Sequence, residues 1–246
     1  GGTTAVDFSN DTLSALNTLE LTKDSAGSAD SNAQSLTMTD AQIDGFTIIN
    51  SAAGDNITLG DVMTSDMLDN TVINTDLKLI LKDVASNALT LVDATMDDTA
   101  DKLTVDGSNL TGSNALTFTG TLEASAEVSV TGGAAADAIT GGGGNDTIIG
   151  GAGANVLTGN AGVDSITGGA DADTITGGAG ADKLVGGNGA NKFVYLSNAA
   201  DATGVGETIT GGTGTDTLIV AGGTTAVDFS NDTLSALNTL ELTKDS

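Results

Sequence analysis

The chain has 246 residues, with 33 acidic side chains against 7 basic ones, all lysine, and a formal charge of −26. So few cations leave nothing to neutralise nucleic-acid phosphates or to hold an anionic membrane through a polybasic patch. There is no His, Cys, Trp or Pro, which removes Ser-His-Asp and Cys-His nucleophiles and thiolate or imidazole zinc sites; the expectation is a protein that is not an enzyme. Hydrophobic residues at 39% and a mean hydropathy of +0.10 argue against simple disorder. No apolar run reaches the roughly 18 residues of a membrane-spanning helix. The lack of cysteine fits a secreted bacterial protein, and an opening without initiating Met or secretory leader suggests an excerpt of something longer.

Residues 1–131 contain short runs that alternate apolar with Thr, Ser or charged residues. They are NTLELT (17–22), SLTMTD (35–40), NITLGD (56–61), DLKLILKD (76–83), NALTLVD (87–93), DKLTVDG (101–107), NALTFTG (114–120) and AEVSVTG (126–132). Period-2 alternation is the mark of a half-buried strand, and from residue 76 the even spacing reads as rungs of an irregular parallel β-solenoid. An antiparallel sandwich is the rival for this half. Residues 9–17 and 61–75 are expected to hold short helices, because Asp and Ser caps precede irregular apolar spacing.

Residues 132–194 divide into seven nonapeptides without insertion: GGAAADAIT, GGGGNDTII, GGAGANVLT, GNAGVDSIT, GGADADTIT, GGAGADKLV and GGNGANKFV. An eighth, GGTGTDTLI, occupies 211–219 after an irregular stretch at 195–210. Position 6 carries Asp137, Asp146, Asn155, Asp164, Asp173, Asp182, Asn191 and Asp216; position 8 carries Ile139, Ile148, Leu157, Ile166, Ile175, Leu184, Phe193 and Leu218. Nineteen of the 35 glycines fall in these seven blocks, so the glycine excess belongs to the repeat. A flexible glycine linker would not place a large apolar residue every ninth position. The pattern is G-G-x-G-x-D-x-U-x, a glycine turn whose carbonyls and acid make an all-oxygen shell, followed by a short strand with one inward apolar side chain.

On these blocks the chain resembles the RTX (repeats-in-toxin) family of surface-layer, extracellular-filament and giant-adhesin type, whose nonapeptides wind a right-handed parallel β-roll. The resemblance implies an all-β fold: a right-handed parallel β-solenoid ending in a calcium-binding roll. It also implies two nonapeptides per turn and several Ca2+ ions between turns 18 residues apart. One edge then stacks Asp146, Asp164 and Asp182; the other stacks Asp137, Asn155, Asp173 and Asn191. Asp216 and the turn glycines Gly142, Gly144, Gly162, Gly178 and Gly180 join the implied ligand set. Ligand charge tunes calcium affinity, so the all-Asp edge is expected to bind more tightly. Ala135 and Asp171 at position 4 and Asn160 at position 2 depart from the pattern and put individual sites in question.

Residues 1–25 recur without a change at 222–246, an offset of 221. This reads as the start of the next unit of a tandem array, or else as a duplicated terminal motif. The domains expected are 1–131 (solenoid rungs), 132–194 (roll), 195–221 (insertion and last repeat) and 222–246. Outward threonines such as Thr37, Thr39, Thr117 and Thr119 are ordinary strand residues, and the N-x-S/T triplets at Asn10, Asn56, Asn109 and Asn145 follow from composition. The leading functional expectation is a calcium-stabilised structural unit of a secreted filament or surface layer. It would partner copies of itself in a fibre or lattice, and a cell-surface polysaccharide through regions outside this sequence, without nucleic acid or membrane insertion, at the bacterial cell surface after type I secretion. The alternatives are the extender of a giant adhesin and the calcium-folding secretion module of an exported enzyme or toxin.

Overall fold

The computed structural model describes residues 5–7, 18–20, 35–43, 48–50, 56–61, 72–73, 76–91, 102–121, 127–196, 206–221 and 233–243. Each apolar–polar run becomes a strand, and every strand pairing among the described residues is parallel. The first sheet has 11 strands in sequence order: Ala5–Asp7, Ser35–Met38, Asn56–Leu59, Leu77–Ile80, Lys102–Asp106, Glu127–Thr131, Thr147–Gly151, Ser165–Gly169, Lys183–Asn188, Thr208–Thr213 and Thr233–Ser235. The second has eight: Asn87–Thr90, Leu116–Thr119, Ala138–Thr140, Val156–Ala161, Thr174–Ala179, Lys192–Leu196, Thr217–Ala221 and Thr239–Thr243. A third sheet joins Thr18–Glu20, Ile48–Asn50 and Val72–Ile73. Successive strands alternate between the first sheet and the other two. That is a parallel β-solenoid, and the antiparallel sandwich is excluded by strand direction.

Alternation along each strand sends every second side chain inward. Stacked in register, those side chains form continuous apolar columns. In the first sheet Leu36, Ile57, Leu79, Val105, Val130, Ile148, Ile166, Leu184 and Ile209 follow one another coil by coil. In the second, Leu89, Phe118, Ile139, Leu157, Ile175, Phe193 and Leu218 do the same. All these residues are buried. The step between paired strands is 18 residues inside the nonapeptide region (Thr147 on Ser165, Ser165 on Lys183) and 25 where Lys183 meets Thr208. The column survives the longer step because extra residues leave as a loop, and loop length adds little closure cost.

Several expectations change. The helix expected at 9–17 lies outside the described residues, and within 61–75 the pair Val72–Ile73 is strand. A single helical turn, α1 (Asp40–Ile43), appears instead. Its signature is a capping box, Thr39 followed by Gln42, in which the Gln42 side chain accepts the Thr39 N–H at 2.8 Å. Strands at Ala5–Asp7, Ile48–Asn50 and Val72–Ile73 were too short to stand out by alternation. In the two copies of the 25-residue segment the residues described in common, 18–20 and 239–241, are strand in both.

The inward columns carry the apolar stability. Leu157→Ala, at 0% exposure, should destabilise the calcium-loaded protein by about 2–5 kcal/mol. Ile149→Ala, one strand earlier and 40% exposed, should stay within about 0.5 kcal/mol. Equal shifts of the two denaturation midpoints would contradict the assignment of faces.

Candidate metal centre

Position 6 of each nonapeptide also points inward, two residues before the apolar column. In the earlier coils this second column carries no acid: Leu77 stacks on Leu103 and Leu103 on Val128, while across the solenoid the amide Asn87 stacks on Leu116. At the first nonapeptides it turns acidic. On one edge the Val128 N–H donates to Asp146 at 2.9 Å, Asp146 to Asp164 and Asp164 to Asp182 at 2.8 Å, and Asp182 to Glu207 at 3.1 Å. On the other edge Leu116 donates to Asp137 at 2.7 Å, and the ladder continues through Asn155, Asp173, Asn191 and Asp216 to Asn238. Each rung therefore presents its backbone N–H to the side chain one coil further on. The acids from Asp137 to Asp216 in both ladders are at most 2% exposed.

One carboxylate oxygen is anchored in this way, and the second divides the column. In the first repeats it is also satisfied: Gly133 N–H donates to Asp137 and Gly142 N–H to Asp146, both at 2.7 Å. In Asp164, Asp173, Asp182 and Asp216 the buried second oxygen has no hydrogen-bond partner. A buried anionic oxygen left bare is strongly unfavourable unless a cation meets it. The donor set fits a hard one, since it contains only carboxylate, amide and carbonyl oxygens. Among the described residues no three acidic side chains converge on one point, so a shell here would draw on turn carbonyls and water as well as carboxylates.

Those carbonyls are aligned by the turn. Gly162 and Gly180, both at position 4, take φ of +120° and +146°, and the carbonyls of Gly144 and Gly162 point at the places their β-carbons would fill. Position 2 repeats the device, with the Asn160 carbonyl directed at Gly178. The departures from the pattern adapt. Asn160 (φ 83°) and Asp171 (φ 67°) adopt the same left-handed backbone, which Asn and Asp tolerate better than other side chains. Ala135 is not among the left-handed residues, and its neighbour Ala134 donates instead to the Leu110 carbonyl at 3.0 Å. The first turn is thus anchored on the preceding coil. Gly142 holds Asp146 through its N–H, while its carbonyl accepts from Ala161 at 3.3 Å.

Two column members escaped sequence reasoning. Glu207 takes the position-6 place after the insertion, and Asn238 takes it in the last coil. The signal was present in G-E-T-I-T-G-G at 206–212, which is the end of a nonapeptide with Glu for Asp.

Burial raises these acids. Asp164 is pushed up to about 7, first by burial and then by the flanking carboxylates of Asp182 and Asp146, against the pull of the Asp146 N–H. Asp146 and Asp173 are pushed to about 6, again chiefly by burial, and Asp137 and Asp182 move in the same direction.

The RTX calcium-binding nonapeptide repeat (4 copies) matches at residues 131–166 and 158–193. No curated protein and no solved structure matches the chain. Residues 131–193 are therefore RTX nonapeptide repeats, and Ca2+ is the ion they bind. The chain is a calcium-dependent β-roll repeat protein, of a repeat type typical of secreted proteins that bind calcium outside the cell.

Two outcomes follow for the metal centre. Folded-state values raised above the unfolded 3.8 mean that the calcium-free roll is stabilised by protons. That stability is present below pH ~4 and lost as pH climbs through the 6–7 range. Circular dichroism in chelator should therefore show more strand at pH 4 than at pH 8, and a flat profile would contradict the buried column. Asp164→Ala should raise the calcium midpoint more than Asn155→Ala, because it removes a charged oxygen on the all-carboxylate edge. Equal midpoints in paired titrations would contradict the strong and weak edges.

Proposed function

We propose that this calcium-binding roll is a structural unit of a secreted bacterial filament or surface-layer assembly, not an enzyme, whose partners are further copies of itself. The observation that carries the reading is the recurrence of residues 1–25 at 222–246, in a chain whose paired strands run from Ala5 to Thr243. A solenoid adds coils by the same contacts that hold its existing ones, so its natural mode of extension is end-on.

The side chains described above give this unit a condition for assembly. Without a cation, the acids of the column repel one another and the glycine turns are entropically costly to order. Bound calcium supplies the positive charge that the column lacks. Folding and binding are then one equilibrium. In cytosol, where free calcium is low, the chain stays unfolded and suited to type I secretion. Outside the cell, where calcium is abundant, Asp164, Asp173, Asp182 and Asp216 acquire their partner and the roll locks at the cell surface.

EGTA should abolish the strand signal of the roll, and added Ca2+ should restore it. Imaging of native material should then show fibres with an axial repeat matching one 221-residue unit. An unchanged spectrum in EGTA sinks the calcium-gated part of the proposal. A two-dimensional sheet of discrete 23.9 kDa subunits sinks the filament.

A further inference from the structure

The two edges of the roll differ in more than charge. The second ladder alternates acid with amide, Asp137, Asn155, Asp173, Asn191 and Asp216. The ladder itself fixes which way each amide points. Asn155 Oδ1 accepts the Asp137 N–H at 2.9 Å, and Asn191 Oδ1 accepts the Asp173 N–H at 3.0 Å. The Nδ2 group is left to face the glycine turn. In Asp164, Asp173 and Asp182 that place belongs to the bare Oδ2, which a β-carbon at Gly159, Gly168 or Gly177 would meet. A β-carbon at Gly150 or Gly186 would instead meet Nδ2 of Asn155 or Asn191, at 2.6 Å.

What surrounds that nitrogen is clearest at Asn191. Its Nδ2 donates to Asp216 Oδ1 in the next coil at 2.9 Å, and to the Asn188 and Gly189 carbonyls of its own turn at 3.3 and 3.5 Å. A carboxylate and two turn carbonyls are the oxygens a hard cation collects. Here an N–H donor collects them. Asn155 faces Asp173 in the same sense: burial raises Asp173, and the backbone and side-chain N–H groups of Asn155 pull against it. The Asn155 Nδ2 is buried and completes no hydrogen bond of its own. An amide NH2 is a donor only, with no lone pair to give a metal.

We propose that Asn155 and Asn191 exclude calcium from their own glycine turns, the side-chain NH2 standing in the ion's place between that turn and the acid of the next coil. Both residues occupy the motif position that supplies a ligand in the other repeats, so their role is reversed. They select which turns load. An amide also carries no charge, so these rungs have no repulsion for an ion to offset. The second edge is therefore joined from 155 to 173 and from 191 to 216 without a cation, while the bare oxygens of Asp164 and Asp182 on the first edge require one. The inference concerns single turns, and it holds whether or not the roll assembles into a filament.

Counting bound ions tests it. Native mass spectrometry at saturating Ca2+ compares the unmodified chain with Asn191→Asp and, separately, Asn155→Asp. Each substitution exchanges the NH2 for an oxygen of nearly equal size, so each should add about one ion to the count. If the asparagines were already ligands, the count would stay the same and only the calcium midpoint would shift. That outcome overturns the proposal. Circular dichroism in Ca2+ establishes that each variant folds. Should either misfold, nuclear magnetic resonance of the calcium-saturated unmodified chain decides. The side-chain N–H protons of Asn191 should exchange slowly, held by Asp216. Exchange as fast as that of the exposed Asn145 overturns the proposal.

Discussion

The repulsion between stacked, buried carboxylates is the constraint from which most of this molecule follows. Neighbouring rungs of a sheet lie roughly 4.7–4.9 Å apart. Two unit charges at that separation repel by about 3 kcal/mol at an effective dielectric of 20, and Asp164 has such a neighbour on either side in Asp146 and Asp182. One backbone N–H per acid returns roughly 1.5–3 kcal/mol, which does not cover both the repulsion and the bare second oxygen. Protons or cations must make up the difference, and at neutral pH outside the cell calcium is the available one. The glycines belong to the same constraint. A β-carbon at Gly159 or Gly177 would overlap the carboxylate of Asp164 or Asp182, and one at Gly162 or Gly180 would block a turn carbonyl.

Two acids in the coils before the roll, Asp83 and Asp106, find protein donors, and the contrast is instructive. Asp83 sits at an exposed turn and accepts from the Thr111 N–H at 2.9 Å, from the Thr111 hydroxyl and from the Asn114 amide at 2.7 Å. These donors hold its carboxyl below the usual range, opposite in direction to Asp164. Asp106 is likewise lowered despite its partial burial, by hydrogen bonds from Lys78 and Ser108. There the acid finds protein donors near the surface; in the roll it is turned inward, and for Asp164, Asp173, Asp182 and Asp216 the second oxygen finds no donor. The roll begins against the coil before it, where the Leu110 carbonyl accepts from Ala134 of the first glycine turn.

The nonapeptide period, the inward apolar position 8 and the two stacks of position-6 residues between Asp137 and Asn191 were legible in the residues, whereas Glu207 and Asn238 were not. The reason is geometric. Strand alternation decides which side chains face inward, and an 18-residue coil without insertions places positions 6 and 8 on their own kind by counting alone. The strands from NTLELT to AEVSVTG were legible on the same ground, each alternating long enough to mark a buried face. The three-residue strands at Ala5–Asp7 and Ile48–Asn50 were not, because so short a run has no measurable period.

Tertiary structure alone decided what depends on fit between distant coils. Glu207 enters the acid column only because Lys183 pairs with Thr208 across a 25-residue step, a register that loop length does not dictate. That Asp137 and Asp146 have both oxygens satisfied while Asp164 does not reflects the conformation of the first two turns, where Gly133 and Gly142 donate, since all three acids share one motif position. The duplicated 25 residues make the point most directly. The segment Thr18–Glu20 pairs with the following coil at Ile48–Asn50, whereas its counterpart at 239–241 pairs with the preceding coil at 217–219. Local propensity is the same in both copies, so the coil each one packs against makes the choice.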